Sequence, residues 1–201
     1  MPGVAAALAL CAHATLAGVV TVNVKNQSGS VAADTVIVFD PLDAAPPPTH
    51  DSAVIDQVDK RFVPRVSVVR SGTTVMFPNS DRIRHQVYSF SQPKIFTLKL
   101  YAGSPREDVL FDKAGLVVLG CNIHDTMVAF VGVVDSPYFA KIPPSGNADV
   151  TLPPGRYRLR VWNPGLKSAV PPQRIEVGSG PLTIPLTVDI DPTADAVAVW
   201  P

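Results

Sequence analysis

Three sulfur or imidazole donors fall within seven residues of one another. They are Cys121, His124 and Met127, in the run Cys-Asn-Ile-His-Asp-Thr-Met. A thiolate, an imidazole and a thioether spaced three apart can wrap one ion where a strand turns into a loop at the cysteine. An apolar run, residues 116–119, leads into the segment. A fourth donor must come from elsewhere, and His85 is available. It follows Phe77-Pro78-Asn79-Ser80-Asp81, a loop leaving a strand. Two imidazoles, a thiolate and a weak axial thioether form a trigonal set suited to copper. Sulfur favours Cu(I), imidazole suits both oxidation states, and a constrained site keeps reorganisation small. The chemistry expected of this set is the transfer of one electron.

Each of these residues also has a purely structural alternative. Cys121 as an inert core thiol, Met127 as the start of an apolar strand over 128–134 and His85 as a turn residue all remain open. So does a zinc site of two histidines and a cysteine, with Met127 a spectator. Met76 alternates with Val75 and Phe77 and faces the other way. His50 lies in a proline-rich stretch and His13 in the leader. No Ser-His-Asp set has a supporting local motif, and no glycine-rich phosphate loop leads from a strand into a helix. Asp125, beside His124, could act as a base, but an exposed loop position is the commoner case.

The elements that must position these donors are strands. Proline occupies 21 of 201 positions, about twice ordinary usage, so long helices are excluded. With 46% hydrophobic residues the chain still has ample core. Basic and acidic residues balance at 17 each, which argues against nucleic acid or a membrane surface as partner. Residues 1–17 read as a secretory signal, with an apolar stretch over 4–17 and small-residue cleavage sites at 12–14 and 15–17. No later apolar run reaches the ~18 residues a spanning helix needs. The expectation is an exported chain, periplasmic or secreted, without a membrane span, in which Cys121 is the one cysteine left.

Composition divides the rest. Residues 20–24 and 35–39 read as strands, and a Pro/Ala-rich linker over 41–51 follows. Residues 52–135 form a strand-dense unit, with strands at 54–58, 65–69, 73–77, 86–90, 95–100, 109–111, 116–119 and 127–134. A second linker covers 136–144. Beyond it, 156–161 alternates Tyr157, Leu159 and Val161 with three arginines, a half-buried strand with a solvated face. Residues 182–190 alternate too, and Pro185 makes that strand an edge. Neither terminal piece has enough strands to bury its own apolar face. The expectation is therefore that 18–51 and 136–201 pair into one discontinuous sandwich, with 52–135 inserted.

Residues 74–81 leading to His85-Gln86-Val87, with 115–127, resemble the two ligand blocks of the cupredoxin family. The C-x2-H-x2-M spacing is similar to amicyanin, whose ligand loop is short, rather than to plastocyanin. Ile55-Asp56-Gln57, Phe62-Val63-Pro64, residues 85–90 and residues 120–125 resemble, more narrowly, plastocyanin-like proteins associated with methylamine utilisation (the MauL-like group). Residues 18–39 together with Leu152-Pro153-Pro154-Gly155-Arg156-Tyr157 resemble carboxypeptidase regulatory-like, immunoglobulin-like sandwiches. The resemblance implies an all-β fold: a cupredoxin Greek-key sandwich inserted in, or flanked by, a second small sandwich. It implies one type 1 (blue) copper ion held by His85, Cys121, His124 and axial Met127. Asn79 would tie the two ligand loops together from outside the ligand set, with Asn122 beside the thiolate. Short-loop members usually carry proline before the second histidine. Here it is Ile123, which keeps an N–H near the sulfur.

The function this implies is an exported, non-enzymatic, monomeric electron carrier. Its partners would be redox proteins, such as a c-type cytochrome or a dehydrogenase, meeting the edge of His124. Arg82 and Arg84 flank His85 and could face an acidic partner, although a solvated turn explains them equally well. The alternatives are copper delivery, storage or sensing without redox turnover, and an adhesion-like sandwich.

Overall fold

The computed structural model describes residues 17–43, 45–46, 49–194 and 200. The expected leader, with Cys11 and His13, lies outside the described residues except for Ala17. Among the described residues there are seventeen strands and no helix, so none that could cross a membrane. The all-β expectation holds.

The strands run in chain order as follows. β1 (Gly18–Asn26) and β2 (Val36–Pro41) precede the middle unit. That unit contains β3 (Ser52–Val54), β4 (Asp56–Val58), β5 (Arg61–Val63), β6 (Val66–Arg70), β7 (Thr73–Met76), β8 (His85–Ser91), β9 (Lys94–Tyr101), β10 (Val109–Phe111), β11 (Gly115–Gly120) and β12 (Val128–Val134). The remainder is β13 (Phe139–Lys141), β14 (Asn147–Leu152), β15 (Gly155–Trp162), β16 (Gln173–Val177) and β17 (Leu182–Val188).

β1 is the central strand of a three-stranded sheet. It runs antiparallel to β14, with Val20 opposite Val150, and parallel to β17, with Val20 opposite Leu182. β17 is at the sheet edge, where Pro185 can be accommodated. A second sheet has the order β13-β2-β15-β16. Alternation drives the packing: Val20, Val22 and Val24 are fully buried while Val19 faces water. The arginines of β15 lie on the opposite face to Tyr157, Leu159 and Val161. Arg156 pairs with Asp43, and Arg158 and Arg160 both pair with Asp40, so two carboxylates offset most of the charge of the three arginines.

In the middle unit a five-stranded sheet, β6-β12-β11-β8-β9, lies over a three-stranded sheet, β10-β7-β3. Consecutive β6 and β7 lie in different sheets, and β6 runs parallel to β12, the last strand of the middle unit. These are the crossovers of a Greek key. A core of Val75, Phe77, Phe111, Val117, Leu119, Val131 and neighbours fills the space between the sheets.

β12 belongs to two cores. Ala129, Val131 and Val133 face the inner core, while Phe130 and Val134 belong to the core of the outer sandwich. Val66 joins that outer core, and Val68, Leu116 and Val118 pack against it. The Phe130 ring lies 5.8 Å from Trp162 at the end of β15. The back of the five-stranded sheet is thus a wall of the outer sandwich rather than a free face. A near-continuous apolar strand requires cover on both sides.

Two expected segments differ. Residues 54–58 do not form one strand. The Ile55 amide bonds to Met76 O and the Gln57 amide to Pro78 O, at 3.0 and 3.1 Å. The chain then leaves β7, and β4 pairs with β5 instead. Residues 136–144 are not a simple linker. They contain β13, paired with β2, and buried Ser136 donates its hydroxyl to the Phe39 carbonyl.

Gly132 on β12 is where the Trp200 ring lies, and a Cβ there would collide with it. Trp200 also packs on Trp162 at 5.3 Å. Gly132→Ala should therefore destabilise the protein by about 1–3 kcal/mol through overpacking. Combined with Trp200→Ala, the cost should fall below the sum of the two single changes, read from urea unfolding of all three variants.

Candidate metal centre

His85 opens β8, Cys121 immediately follows β11, and Met127 immediately precedes β12. β11 and β12 are antiparallel neighbours, so residues 121–127 form the loop joining two adjacent strands. Cys121 and Met127 are buried at the two ends of this loop and belong to the inner core. Between them the Met127 amide donates to His124 O at 3.0 Å, which tightens the loop into a turn. Asn122, Ile123, Asp125 and Thr126 face solvent, and His124 is half-buried. At the end of β11, Gly120 lies opposite Tyr88. A Cβ at Gly120 would come within 2.7 Å of the Tyr88 ring. That close approach fixes the strand end that carries the cysteine.

The ligand atoms of His85, Cys121 and His124 all lie within 4.8 Å of one another. His85 is fully buried, with Nδ1 3.9 Å from Cys121 Sγ. The two imidazoles meet edge to face, centroids 5.1 Å apart. His124 Nδ1 is buried without a hydrogen-bond partner. A buried imidazole nitrogen ordinarily needs a partner, and a metal ion between these three donors would supply one. Two imidazoles and a thiolate fit a borderline transition metal. Met127 shares the core cluster with Cys121, and exposed Met76 points away from it. His50 is exposed in its proline-rich stretch.

Asn79 has a different set of partners from a clasp between the ligand loops. Its Nδ2 donates to the carbonyls of Ile83 and Tyr101, both at 2.9 Å, and its Oδ1 accepts the Asp81 amide at 3.0 Å. Its backbone exchanges two hydrogen bonds with Gly103. These bonds fasten the His85 loop to the end of β9 and use both side-chain groups there. None goes to residues 121–127. Asn122 is exposed, and its side chain has no hydrogen bond to the described residues.

Two groups beneath the site had no clear sequence signal. Tyr101, opposite His85 in the β8–β9 ladder, donates its hydroxyl to Phe77 O at 2.6 Å and accepts from Gln57 Nε2 at 2.6 Å. Burial pushes the Tyr101 hydroxyl up to about 12. Asp81 Oδ2 lies 2.8 Å from His85 Nε2. Burial works against the Asp81 charge, but the Lys60 amide, the His85 ring and the Asp59 amide outweigh it and hold the carboxyl below its ordinary value. The sequence signal for this pair is only an acid four residues before the histidine.

No protein-family model matches the chain, and no curated protein matches it. Among solved structures it is similar to a copper-containing nitrite reductase from Thermus scotoductus SA-01. That likeness has 26% identity and a TM-score of 0.38, over 47% of this chain and 25% of the reductase. The chain therefore spans about a quarter of the reductase's length. It is similar also to a purple cupredoxin from Nitrosopumilus maritimus, at 22% identity and a TM-score of 0.36, over 40% of this chain and 98% of that one. A reduced amicyanin carrying a tryptophan-to-tyrosine substitution matches at 18% identity and a TM-score of 0.37, over 48% of this chain and 97% of that one.

Tyr101→Phe should cost about 1–3 kcal/mol, because the Phe77 carbonyl loses a buried donor. The raised value gives a sign as well. Tyr101 stays protonated in the folded protein while the unfolded chain ionises near 10, so its stabilising contribution is lost as pH climbs from about 10 to 12. Chemical denaturation across that range should show a decline that Tyr101→Phe reduces.

Proposed function

We propose that this chain is an exported one-electron carrier of the cupredoxin type, with a single copper ion held by His85, Cys121, His124 and, axially, Met127. The observation that carries this reading is the convergence of one donor atom from each of His85, Cys121 and His124 within 4.8 Å, together with a buried His124 Nδ1 that has no hydrogen-bond partner. Copper bound there would supply a Cu(I)/Cu(II) couple. The chain's own residues would do the rest. Buried Cys121, His85 and Met127 keep water from the inner side, and both ends of the loop are anchored in core. A site held this way keeps its shape when the charge changes. Half-buried His124, beside Ile123 at 50% exposure, brings one edge of the site to the surface. A redox partner such as a c-type cytochrome or a dehydrogenase would meet it there. The middle unit carries ten basic and eight acidic residues, so long-range steering of that partner would be weak.

Three finer readings belong to the same proposal. Residues 85–90 and 120–125 support a place in the plastocyanin-like group associated with methylamine utilisation. The paired terminal segments support a carboxypeptidase regulatory-like outer sandwich. The signal-like residues 1–17 support a periplasmic or secreted location, with a monomer as the working form. A copper delivery, storage or sensing module is the second reading. The presence of an outer sandwich favours it, since a diffusing carrier needs no such addition, whereas the placement of that sandwich behind the sheet and away from the loop end favours the carrier.

One equivalent of Cu(II) added to the purified protein should give an intense blue colour from thiolate-to-copper charge transfer, with a matching EPR spectrum. Cys121→Ser should abolish the colour, because a hydroxyl cannot replace the thiolate. Met127→Leu should keep it and raise the reduction potential, since losing a weak axial donor destabilises Cu(II) more than Cu(I). Bound copper without colour would reject the carrier and favour the delivery or storage reading.

A further inference from the structure

We infer that Asp81 is a positioning residue for the metal centre, its carboxylate holding His85 in the tautomer that presents Nδ1 to the ion. The inference rests on the reading that His85, Cys121 and His124 hold copper. The geometry is local and complete. His85 Nε2 lies 2.8 Å from Asp81 Oδ2, and the two side chains are 0% and 13% exposed. An ionised carboxylate can only accept, so Nε2 must carry the proton. In the neutral ring Nδ1 is then the lone-pair nitrogen, and Nδ1 is the atom that faces Cys121 Sγ at 3.9 Å.

The carboxylate is itself held. Asp81 Oδ1 accepts the Asp59 amide at 2.7 Å, and Oδ2 accepts the Lys60 amide at 2.9 Å as well as the imidazole. Asp59 and Lys60 are the two residues between β4 and β5, and both sit in the left-handed region, at φ 51° and 59°. That is the backbone of a two-residue hairpin turn which normally prefers Asn-Gly or Gly-Gly. Here the turn keeps two residues with side chains, and its consecutive amides point at one carboxylate. The β4–β5 hairpin is thus joined to the metal ligand through three charge-assisted hydrogen bonds. A carboxylate on the far nitrogen also makes the imidazole a stronger donor. That favours Cu(II) over Cu(I) and lowers the potential relative to a neutral acceptor in the same place.

The test uses Asp81→Ala and the near-isosteric Asp81→Asn, in the full chain. Asparagine has one acceptor oxygen for three N–H groups, so one of them must face its NH2 whichever way the amide turns. The first readout needs no metal: nitrogen-15 NMR of the His85 ring. The neutral wild-type ring should carry its proton on Nε2, and Asp81→Ala should populate the Nδ1-protonated form. Asp81→Asn, which can turn its one oxygen to His85 and Lys60 at the expense of the Asp59 amide, should do so less. The second readout is Cu(II) affinity by competition with a chelator, expected to fall about 10- to 100-fold. The third is the reduction potential, which should rise by about 59 mV for each tenfold by which Cu(II) binding weakens more than Cu(I) binding. Wild-type tautomer and wild-type potential in both variants would overturn the inference. A wild-type protein that gives no blue copper would overturn the carrier reading instead, and the metal-free NMR comparison would still decide whether Asp81 sets the His85 tautomer.

Discussion

The rest of the structure depends on β12 being buried on both faces. Its side chains alternate between two cores, Ala129, Val131 and Val133 into one and Phe130 and Val134 into the other. Burying each of the larger side chains is worth roughly 1.5–3 kcal/mol, so no sheet with one face in water would keep this strand. The strand also bonds to β11 on one side and β6 on the other. It is therefore fixed in register, tilt and depth before any site chemistry is considered. The ligand loop hangs from its first residue and from the last residue of β11. A well-fixed strand pair thus places Cys121 and Met127 before an ion contributes anything.

Burial of the donors creates a polar problem that the surrounding loops solve. His85 is fully enclosed, and a buried imidazole needs partners at both nitrogens. Asp81 meets Nε2, and its own charge is balanced by turn amides rather than by a lysine or arginine. Amides held in a turn cost little further ordering, whereas a long cationic side chain would have to be immobilised. Asn79 and the Tyr101–Gln57 pair do the same for the carbonyls of Ile83, Tyr101, Phe77 and Pro78. Nearly every polar group on the histidine side is bonded within the framework. Two buried atoms here are left without a hydrogen-bond partner, Gln57 Oε1 and His124 Nδ1, and of the two it is His124 that belongs to the donor cluster.

The cluster of His85, Cys121 and His124 was legible in the sequence because thiol and imidazole are scarce there and Cys121 and His124 are closely spaced. The strands of alternating apolar residues, such as β1, β15 and β17, were legible for the reason that makes them fold: one face is wet. β5, β13, β14 and β16 carried little such signal. β5 and β13 are three residues long, and β16 is Gln-Arg-Ile-Glu-Val, which alternates too weakly to stand out. They exist because a neighbour offers an open ladder, which is a tertiary fact. The same holds for Asp81 and Tyr101. A carboxylate four residues from a histidine and a tyrosine at a strand end are common, and only the fold brings them to the site. The partners of Asn79 are not legible in the same way, because local sequence does not say which carbonyls the β9 exit will present.

The outer sandwich bears on which use of the site is favoured. It covers the back of the five-stranded sheet at β6 and β12, through Val66, Phe130 and Val134. It leaves the loop end open, with Ile123 exposed and His124 half-buried in the presence of both units. An appendage built to pass on or sequester an ion would be expected to reach the donors or to loosen the loop that holds them. This one stiffens the sheet behind the loop and leaves its accessible edge unchanged. Stiffness at Cys121 and Met127 opposes ion release, since either donor must leave a packed core to let go. It assists electron exchange, where the donors should move as little as possible between the two charge states. The packing therefore weights the proposal toward a carrier, with the second sandwich a support for the sheet that holds the candidate site.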